Sequence, residues 1–285
     1  MTLTDRIYLV VHGLLAALVF ARHDDIAHWP LYAAWNLAAI AAIVCLSSKR
    51  QDSSVWAFAH DWLPVVFFIS VFEEVSVLSL TLRGGWQNSI LVRGEAALFV
   101  VPPGEWLRRF VNPWLTELLD FGYFTFYPLY PALAGVFWAW RKRPQFAGAF
   151  RRLTDSLSVG YVVCYVTYLL FPTRSPSHDL GLDPTSSLRS TGPFHLLVRL
   201  IQGHAGVHGN AFPSAHIMLA VVVLCFTFWY FRRFVLPLLV CVLLMCLASV
   251  HDGYHYVIDV VAGAVLGATV GGLFLRPVSK LHGQL

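Results

Sequence analysis

The sequence predicts an all-α integral membrane protein, a bundle of about eight transmembrane helices. Its 285 residues are 57% hydrophobic and only 13% charged, whereas average soluble proteins contain about 25% charged residues. No low-complexity tract or long linker divides the chain. Apolar stretches approaching the ~17–25 residues that span a bilayer recur at 7–21, 31–46, 62–82, 120–140, 155–171, 213–231, 234–250 and 255–275.

We expect residues 1–285 to form a single membrane domain. Residues 1–61 contribute two extra N-terminal helices, whose apolar stretches are the shortest of the eight. The five cysteines fall inside apolar runs and form no CxxC or Cys/His spacing, so they are predicted to be packing residues. The formal net charge of +4 is modest and gives no indication of a nucleic-acid partner.

Residues 62–154 are predicted to hold two spans joined by an interfacial segment. The connection 83–119 mixes Arg, Glu, Pro and Trp with apolar residues, which favours a position along the outer membrane surface. Three roles are left open: it covers the site, it guides lipid tails, or it is a simple amphipathic connection. Glu73 and Glu74 lie halfway along 62–82, where a charge costs about 2.5–3.5 kcal/mol. At least one should therefore face the bundle interior, a polar cavity or a basic partner, as a head-group or acceptor contact or in a structural ion pair.

Residues 155–275 carry the helices with chemically distinctive motifs. The run GNAFPSAH, residues 209–216, ends on the first turn of a helix. Pro213 suits that turn because its missing N–H removes no helical bond, and the free N–H groups there favour an anion. Ser214 adds a hydroxyl and His216 an imidazole. The sequence therefore predicts an anion site at this helix mouth.

The last span opens with a second imidazole, in the run HYVID at residues 255–259. His255 and Asp259 are four residues apart, so on a helix they would share one face. A carboxylate that accepts one imidazole N–H fixes the tautomer and leaves the other nitrogen basic. Further along, Gly263, Gly267 and Gly271 repeat every four residues, which predicts close contact with a neighbouring helix.

Basic residues predict the orientation of the bundle. Lys and Arg are concentrated in the short connections 47–61, 141–154 and 232–233, which indicates that these connections and both termini are cytoplasmic. The long connections 83–119 and 172–212 then lie outside. The FPSAH and HYVID motifs are therefore expected on the periplasmic or luminal face of a plasma or inner membrane.

FPSAH followed by HYVID is similar to the signatures of the type 2 phosphatidic acid phosphatase superfamily, which implies a six-helix core. The pair most resembles the inositol phosphorylceramide synthase branch, with FPSxH and HYxxD. The broader phosphatases have SRxxxxxHxxxD, but here Ala248 and Ser249 replace the Ser and Arg. In place of the first motif, KxxxxxxRP, FPTRSP puts Arg174 near the Arg and Thr167 at the Lys position. The resemblance covers roughly residues 155–275.

The resemblance implies phosphoryl transfer without metal or cofactor. His255 would attack phosphorus to give a phosphohistidine, and Asp259 would orient it. His216 would protonate the departing oxygen and then deprotonate the acceptor. Arg174 and Ser214 would hold phosphate oxygens. Other expected substrate-binding residues are Glu73, Glu74, His208 and His251. Which residues compensate for the two missing basic positions is left open among His208, His251, Arg83, Arg93 and Arg189.

The expected partner is a lipid phosphate, with a polyol or alcohol as a possible acceptor. A phosphotransferase of the inositol phosphorylceramide synthase type is preferred. The alternative is a lipid phosphatase acting on phosphatidate, phosphatidylglycerophosphate or a polyprenyl phosphate. A remote alternative, a membrane di-iron hydroxylase, rests on the HxxxH spacings 204–208 and 251–255, but its HxxHH pattern is absent from the sequence. A transporter or scaffold would leave FPSAH and the His–Asp pair unexplained.

Overall fold

A computed structural model describes residues 1–110, 112–179, 192–204 and 209–275, and all regular structure in these ranges is helical. His208 and Arg189 therefore lie outside the described residues. The α-helices are α1 (Leu3–Ala21), α2 (Trp29–Lys49), α3 (Ser54–Arg83), α4 (Asn88–Leu98), α5 (Pro103–Arg108), α6 (Pro113–Phe124), α7 (Phe126–Ala139), α8 (Ala149–Leu170), α9 (Pro176–Asp179), α10 (Pro193–His204), α11 (Ala215–Tyr230), α12 (Val235–His251) and α13 (Val257–Phe274).

Helix length and composition agree with an integral membrane protein. Among the described residues, 6 helical segments are long and apolar enough to cross a membrane, and they contain α1, α2, α3, α8, α12 and α13. Helix α11 is apolar but has only 16 residues, about 24 Å at 1.5 Å per residue. The count of eight spans therefore stays a prediction.

The apolar stretch 120–140 is divided between two helices. Helix α6 ends at Phe124 and α7 begins at Phe126. Pro128 has no N–H to donate to the Phe124 carbonyl four residues earlier, which weakens the helix at this point. The Thr125 hydroxyl instead donates to the Gly122 carbonyl at 2.6 Å. The two helices share one apolar stretch but are separate elements.

Helices α11 and α13 pack most extensively against each other, and the predicted glycine stripe lies between them. A Cβ at Gly267 would lie 2.5 Å from the Met218 carbonyl oxygen, and one at Gly271 would lie 3.0 Å from Cys225 Cβ. A Cβ at Gly263 would collide with the Ser214 carbonyl oxygen. The expected close helix contact is confirmed, and it holds the start of α13 beside the start of α11.

Polar contacts join the N-terminal helices to the rest of the bundle. The Thr4 hydroxyl of α1 donates to the Asp155 carboxylate of α8 at 2.6 Å. His60 of α3 lies 3.0 Å from the Asp5 carboxylate of α1. These side chains are buried at one end of the helices, opposite the end that carries FPSAH. Helices α1 and α2 therefore pack on the same bundle as the motif-bearing helices.

Candidate active site

The FPSAH and HYVID motifs meet where α11 and α13 begin. Ser214 is the N-cap of α11, and its hydroxyl accepts from the Ile217 N–H at 3.4 Å. The Ser214 N–H in turn donates to the Asp259 carbonyl at 3.1 Å. His255 lies in the turn before α13, where its N–H donates to the Ser249 carbonyl at 2.9 Å. Backbone bonds thus fix both imidazole-bearing segments against each other.

The His255 ring contacts both motifs. Its Nε2 lies 3.0 Å from Ser214 Oγ, and its Nδ1 lies 3.5 Å from Asp259 Oδ2. The same Oδ2 accepts from the Tyr256 N–H at 2.9 Å, which places the carboxylate at the start of α13. His255 precedes that helix, so the two residues meet through this capping contact and do not share a helix face as expected. The distance of 3.5 Å is longer than an ordinary hydrogen bond, so this contact orients the ring only loosely.

His216 faces the same space from the first turn of α11. Its ring centroid lies 6.1 Å from that of His255 at an interplanar angle of 58°. Aromatic rings surround it, with the Phe126 centroid at 4.4 Å and the Tyr123 centroid at 5.9 Å. The two imidazoles therefore lie within the reach of one small group placed between them.

The electrostatic environment keeps His255 neutral. Its side chain is 6% exposed. Burial lowers the pKa of His255 to about 4, while a hydrogen bond with the Ala211 backbone acts in the opposite direction. At neutral pH the imidazole therefore carries one proton and has one free lone pair, as a nucleophile requires.

The FPTRSP segment lies directly beside FPSAH. The Thr173 hydroxyl accepts from the Phe212 N–H at 3.0 Å, and the Thr173 carbonyl accepts from the Ala211 N–H at 3.2 Å. The Tyr168 hydroxyl donates to the Pro213 carbonyl at 2.8 Å. The three sequence motifs thus converge at one end of α8, α11 and α13.

A family profile described as the PAP2 superfamily matches residues 90–273. The chain belongs to the PAP2 superfamily. Membership supports a membrane-embedded lipid enzyme of the phosphatase or phosphotransferase type. A search of curated proteins and a search of solved structures found no match.

The PAP2 match begins inside α4, well before the motifs that carry the resemblance. It therefore includes α5, α6 and α7, whereas α1, α2 and α3 lie outside it. Within the PAP2 region, α4 packs against α13 and α5 packs against α12. The segment expected to be interfacial is thus placed against the turn that holds His255.

Arg174, expected to bind phosphate, lies at the edge of this PAP2 site. Its N–H donates to the Asn88 side-chain oxygen at 2.9 Å, and the Asn88 amide donates to its carbonyl at 3.0 Å. Its guanidinium carbon lies 6.0 Å from the Trp86 ring centroid. These contacts tie FPTRSP to the start of α4.

The other predicted substrate-binding residues are dispersed. His251 is buried, and its Nδ1 lies 2.7 Å from the Asp252 carboxylate. Glu74 is 2% exposed and accepts from the Asn36 amide at 2.6 Å, on the side of α3 that faces α2. The expectation that at least one of the two glutamates faces the interior is confirmed by Glu74, whereas Glu73 is exposed. Neither glutamate has a hydrogen bond or ion pair with the described motif residues.

A cavity of about 270 Å³ opens beside His255, between α4, α5 and the 250–256 turn. Its wall includes the charged side chains of Glu95 and Arg108. Glu95 accepts from the Val257 N–H at 2.6 Å, so it caps the start of α13. Burial raises the pKa of Glu95. Neither residue was predicted from the sequence, where the only signal was the presence of charged side chains among the apolar residues of the connection 83–119.

Proposed function

We propose that this PAP2 protein is a lipid phosphotransferase of the inositol phosphorylceramide synthase type, which moves a phosphate-containing head group through a phosphohistidine. The observation that carries the proposal is the placement of His255. Its Nε2 contacts Ser214 Oγ, its Nδ1 points toward Asp259, and the His216 ring lies 6.1 Å away. The matched residues of FPSAH and HYVID support the same roles.

In the first step, neutral His255 attacks the phosphorus of the donor lipid through Nε2. An N–P bond forms, and the bond between phosphorus and the leaving oxygen breaks. His216, whose protonated form the bound phosphate anion would stabilise, gives its proton to that oxygen, so an alcohol departs. Asp259 stabilises the positive charge that develops on the His255 ring, because its carboxylate lies beside Nδ1.

In the second step, the acceptor hydroxyl attacks the phosphohistidine. His216, now neutral, takes the hydroxyl proton, and the acceptor oxygen bonds to phosphorus. The N–P bond breaks and its electron pair returns to Nε2. Both imidazoles regain their starting protonation states, so the cycle consumes no proton and needs no oxidant or reductant.

Ser214 and Arg174 are proposed to hold the phosphate oxygens. In the resting protein Ser214 Oγ is within hydrogen-bond distance of His255 Nε2. A bound phosphate would take over this hydroxyl as a donor and release the Nε2 lone pair for attack. Since the backbone would already hold Ser214 in place before the lipid arrives, only its hydroxyl would have to reorient to stabilise the charged transition state.

The decisive experiment follows the fate of the phosphate. Purified protein is incubated with a phosphatidylinositol labelled at phosphorus, with and without a ceramide acceptor, and the products are resolved. We expect label to move to the acceptor lipid, and His255→Ala to prevent this. Release of label only to water, whatever acceptor is present, would favour the lipid phosphatase alternative. Lack of product from any phosphoester lipid would contradict both functions.

A further inference from the structure

The guanidinium of Arg108 is held beside the cavity that reaches His255. Arg108 is the last residue of α5, and its Nε donates to the His251 carbonyl at 3.0 Å. The guanidinium lies over Gly253, where a Cβ would collide with its terminal nitrogen. Gly253 also has a φ of 75°, a conformation that favours glycine. The backbone of the 251–253 turn thus holds this guanidinium in place.

The two terminal nitrogens of Arg108 donate no hydrogen bond to the described residues. Among the described residues, the only hydrogen bond of this guanidinium is the one from Nε, and it forms no ion pair. Arginine is rarely half-buried without a partner, because desolvating its charge costs free energy. The free donors are therefore available to an oxyanion in the cavity.

Nearby carboxylates do not neutralise this cation through direct contact. Asp252 and Glu105 act on Arg108 electrostatically, but Asp252 contacts His251 at 2.7 Å and Glu105 is exposed. Burial raises the pKa of Asp252, as it does that of Glu95.

The rest of the cavity suits the apolar part of a lipid. Apart from Glu105, its remaining wall is largely apolar and includes Val92, Ala96, Pro102 and Val250. His255 and Arg108 are both part of this wall. A phosphoester bound there would place its phosphate between a nucleophile and a cation and its chain along apolar side chains.

We infer that Arg108 binds the non-bridging phosphate oxygens of the substrate in this cavity while His255 attacks the phosphorus. This inference rests on the proposed function for the attack, but not for the binding of phosphate. Arginine suits this role because its fork of donors binds two phosphate oxygens at once. Arg108 belongs to α5 and to none of the three sequence motifs.

The test compares Arg108→Gln with Arg109→Gln, a matched control on the exposed neighbouring arginine. Loss of one charge-assisted donor group should weaken binding of inorganic phosphate by about 10–100-fold and lower kcat/KM for a short-chain lipid phosphate similarly. Arg109→Gln should retain both values, and Arg108→Lys should recover part of the phosphate affinity. Equal phosphate affinity in Arg108→Gln and Arg109→Gln would overturn the inference.

A second measurement uses the unaltered protein, so it does not depend on how the variants fold. Phenylglyoxal modifies accessible arginines, and peptide mass spectrometry locates the modified residues. Inorganic phosphate should protect Arg108 but not Arg109, and equal modification of Arg108 with and without phosphate would refute the assignment. Protection of Arg108 in a protein that turns over no phosphoester lipid would sustain the phosphate site and reject the proposed function.

Discussion

The His255 Nε2 and the Ser214 Oγ lie 3.0 Å apart, although the two residues are 41 positions apart in the chain. Ser214 also caps α11, and its N–H donates to the Asp259 carbonyl of α13. One residue therefore couples the start of α11, the start of α13 and the proposed nucleophile. Any displacement of these two helices would change the direction of the Nε2 lone pair.

The proposed nucleophile is tested by His255→Ala. Because the N–P bond cannot form without Nε2, turnover should fall by more than about 10⁴-fold, as for other covalent catalysts. Membrane insertion and purification yield should stay normal. The exposed His23→Ala serves as the control and should retain full activity. Substantial turnover by His255→Ala would remove His255 from this role.

The proposed general acid is tested by His216→Ala with two substrates. A positioned acid contributes about 10²–10⁴-fold to rate, and its contribution is largest when the leaving oxygen is strongly basic. The variant should therefore lose far more activity on a natural lipid than on an aryl phosphoester with an activated leaving group. Equal losses on both substrates would show that His216 binds phosphate and does not transfer a proton.

The pH dependence of kcat/KM should reflect the pKa of His255, which burial lowers to about 4. Protonation removes the lone pair, so activity is lost as pH falls through this value, and the acidic limb of kcat/KM should lie well below 6.5. In the unfolded chain the imidazole binds a proton near pH 6.5. Its contribution to the free energy of unfolding is therefore fully present above that pH and declines as pH falls toward 4.

Melting temperatures measured from pH 4 to 7 can isolate this contribution. The difference between the unaltered protein and His255→Gln should increase as the pH rises through this range. A constant difference, together with an acidic limb of kcat/KM near 6.5, would contradict an imidazole kept neutral by burial.

Hydrogen bonds that join the side chains of His12, Asn36 and Glu74 are predicted to stabilise the bundle. The Asn36 side chain lies 2.7 Å from His12 Nδ1 and donates to Glu74. Asn36→Leu should lower the free energy of unfolding by about 0.6–1.7 kcal/mol, the range for hydrogen bonds between membrane helices. The folded fraction should keep its turnover, and exposed Ser48→Ala should change neither property. Loss of turnover at unchanged stability in Glu74→Gln would instead favour substrate binding by this carboxylate.

Sidedness is tested with single cysteines in a background without the five native ones. Ser89 lies on α4 beside Asn88, near the end of α8, whereas Gln145 precedes the start of α8. Both positions are exposed. An impermeant thiol reagent should label Ser89→Cys in intact cells and Gln145→Cys only after lysis. Labelling of both from one side would place the site on the other membrane face or require a different number of spans.

The sequence alone predicted the helical membrane class and the two imidazole motifs. Apolar length is a local property, so α1, α2, α3, α8, α12 and α13 fall where the apolar stretches do. The glycine stripe was also predictable, because a four-residue repeat of small side chains permits close helix contact wherever its partner lies. FPSAH and HYVID were recognisable because their residues and spacing are similar to the signatures of the superfamily, but the sequence wrongly placed His255 and Asp259 on one helix face.

Only the tertiary structure decided which buried polar groups meet. The sequence is equally compatible with Glu74 as a substrate contact and as a structural group. Its partner Asn36 lies on another helix. Arg108 and Glu95 belong to a segment with no motif, and they reach His255 only because α5 packs on α12 and α4 on α13. A buried polar side chain needs a partner, but burial and partner both depend on distant parts of the chain. Local sequence patterns specify helices and their ends, whereas the contacts between helices determine where each charge is placed.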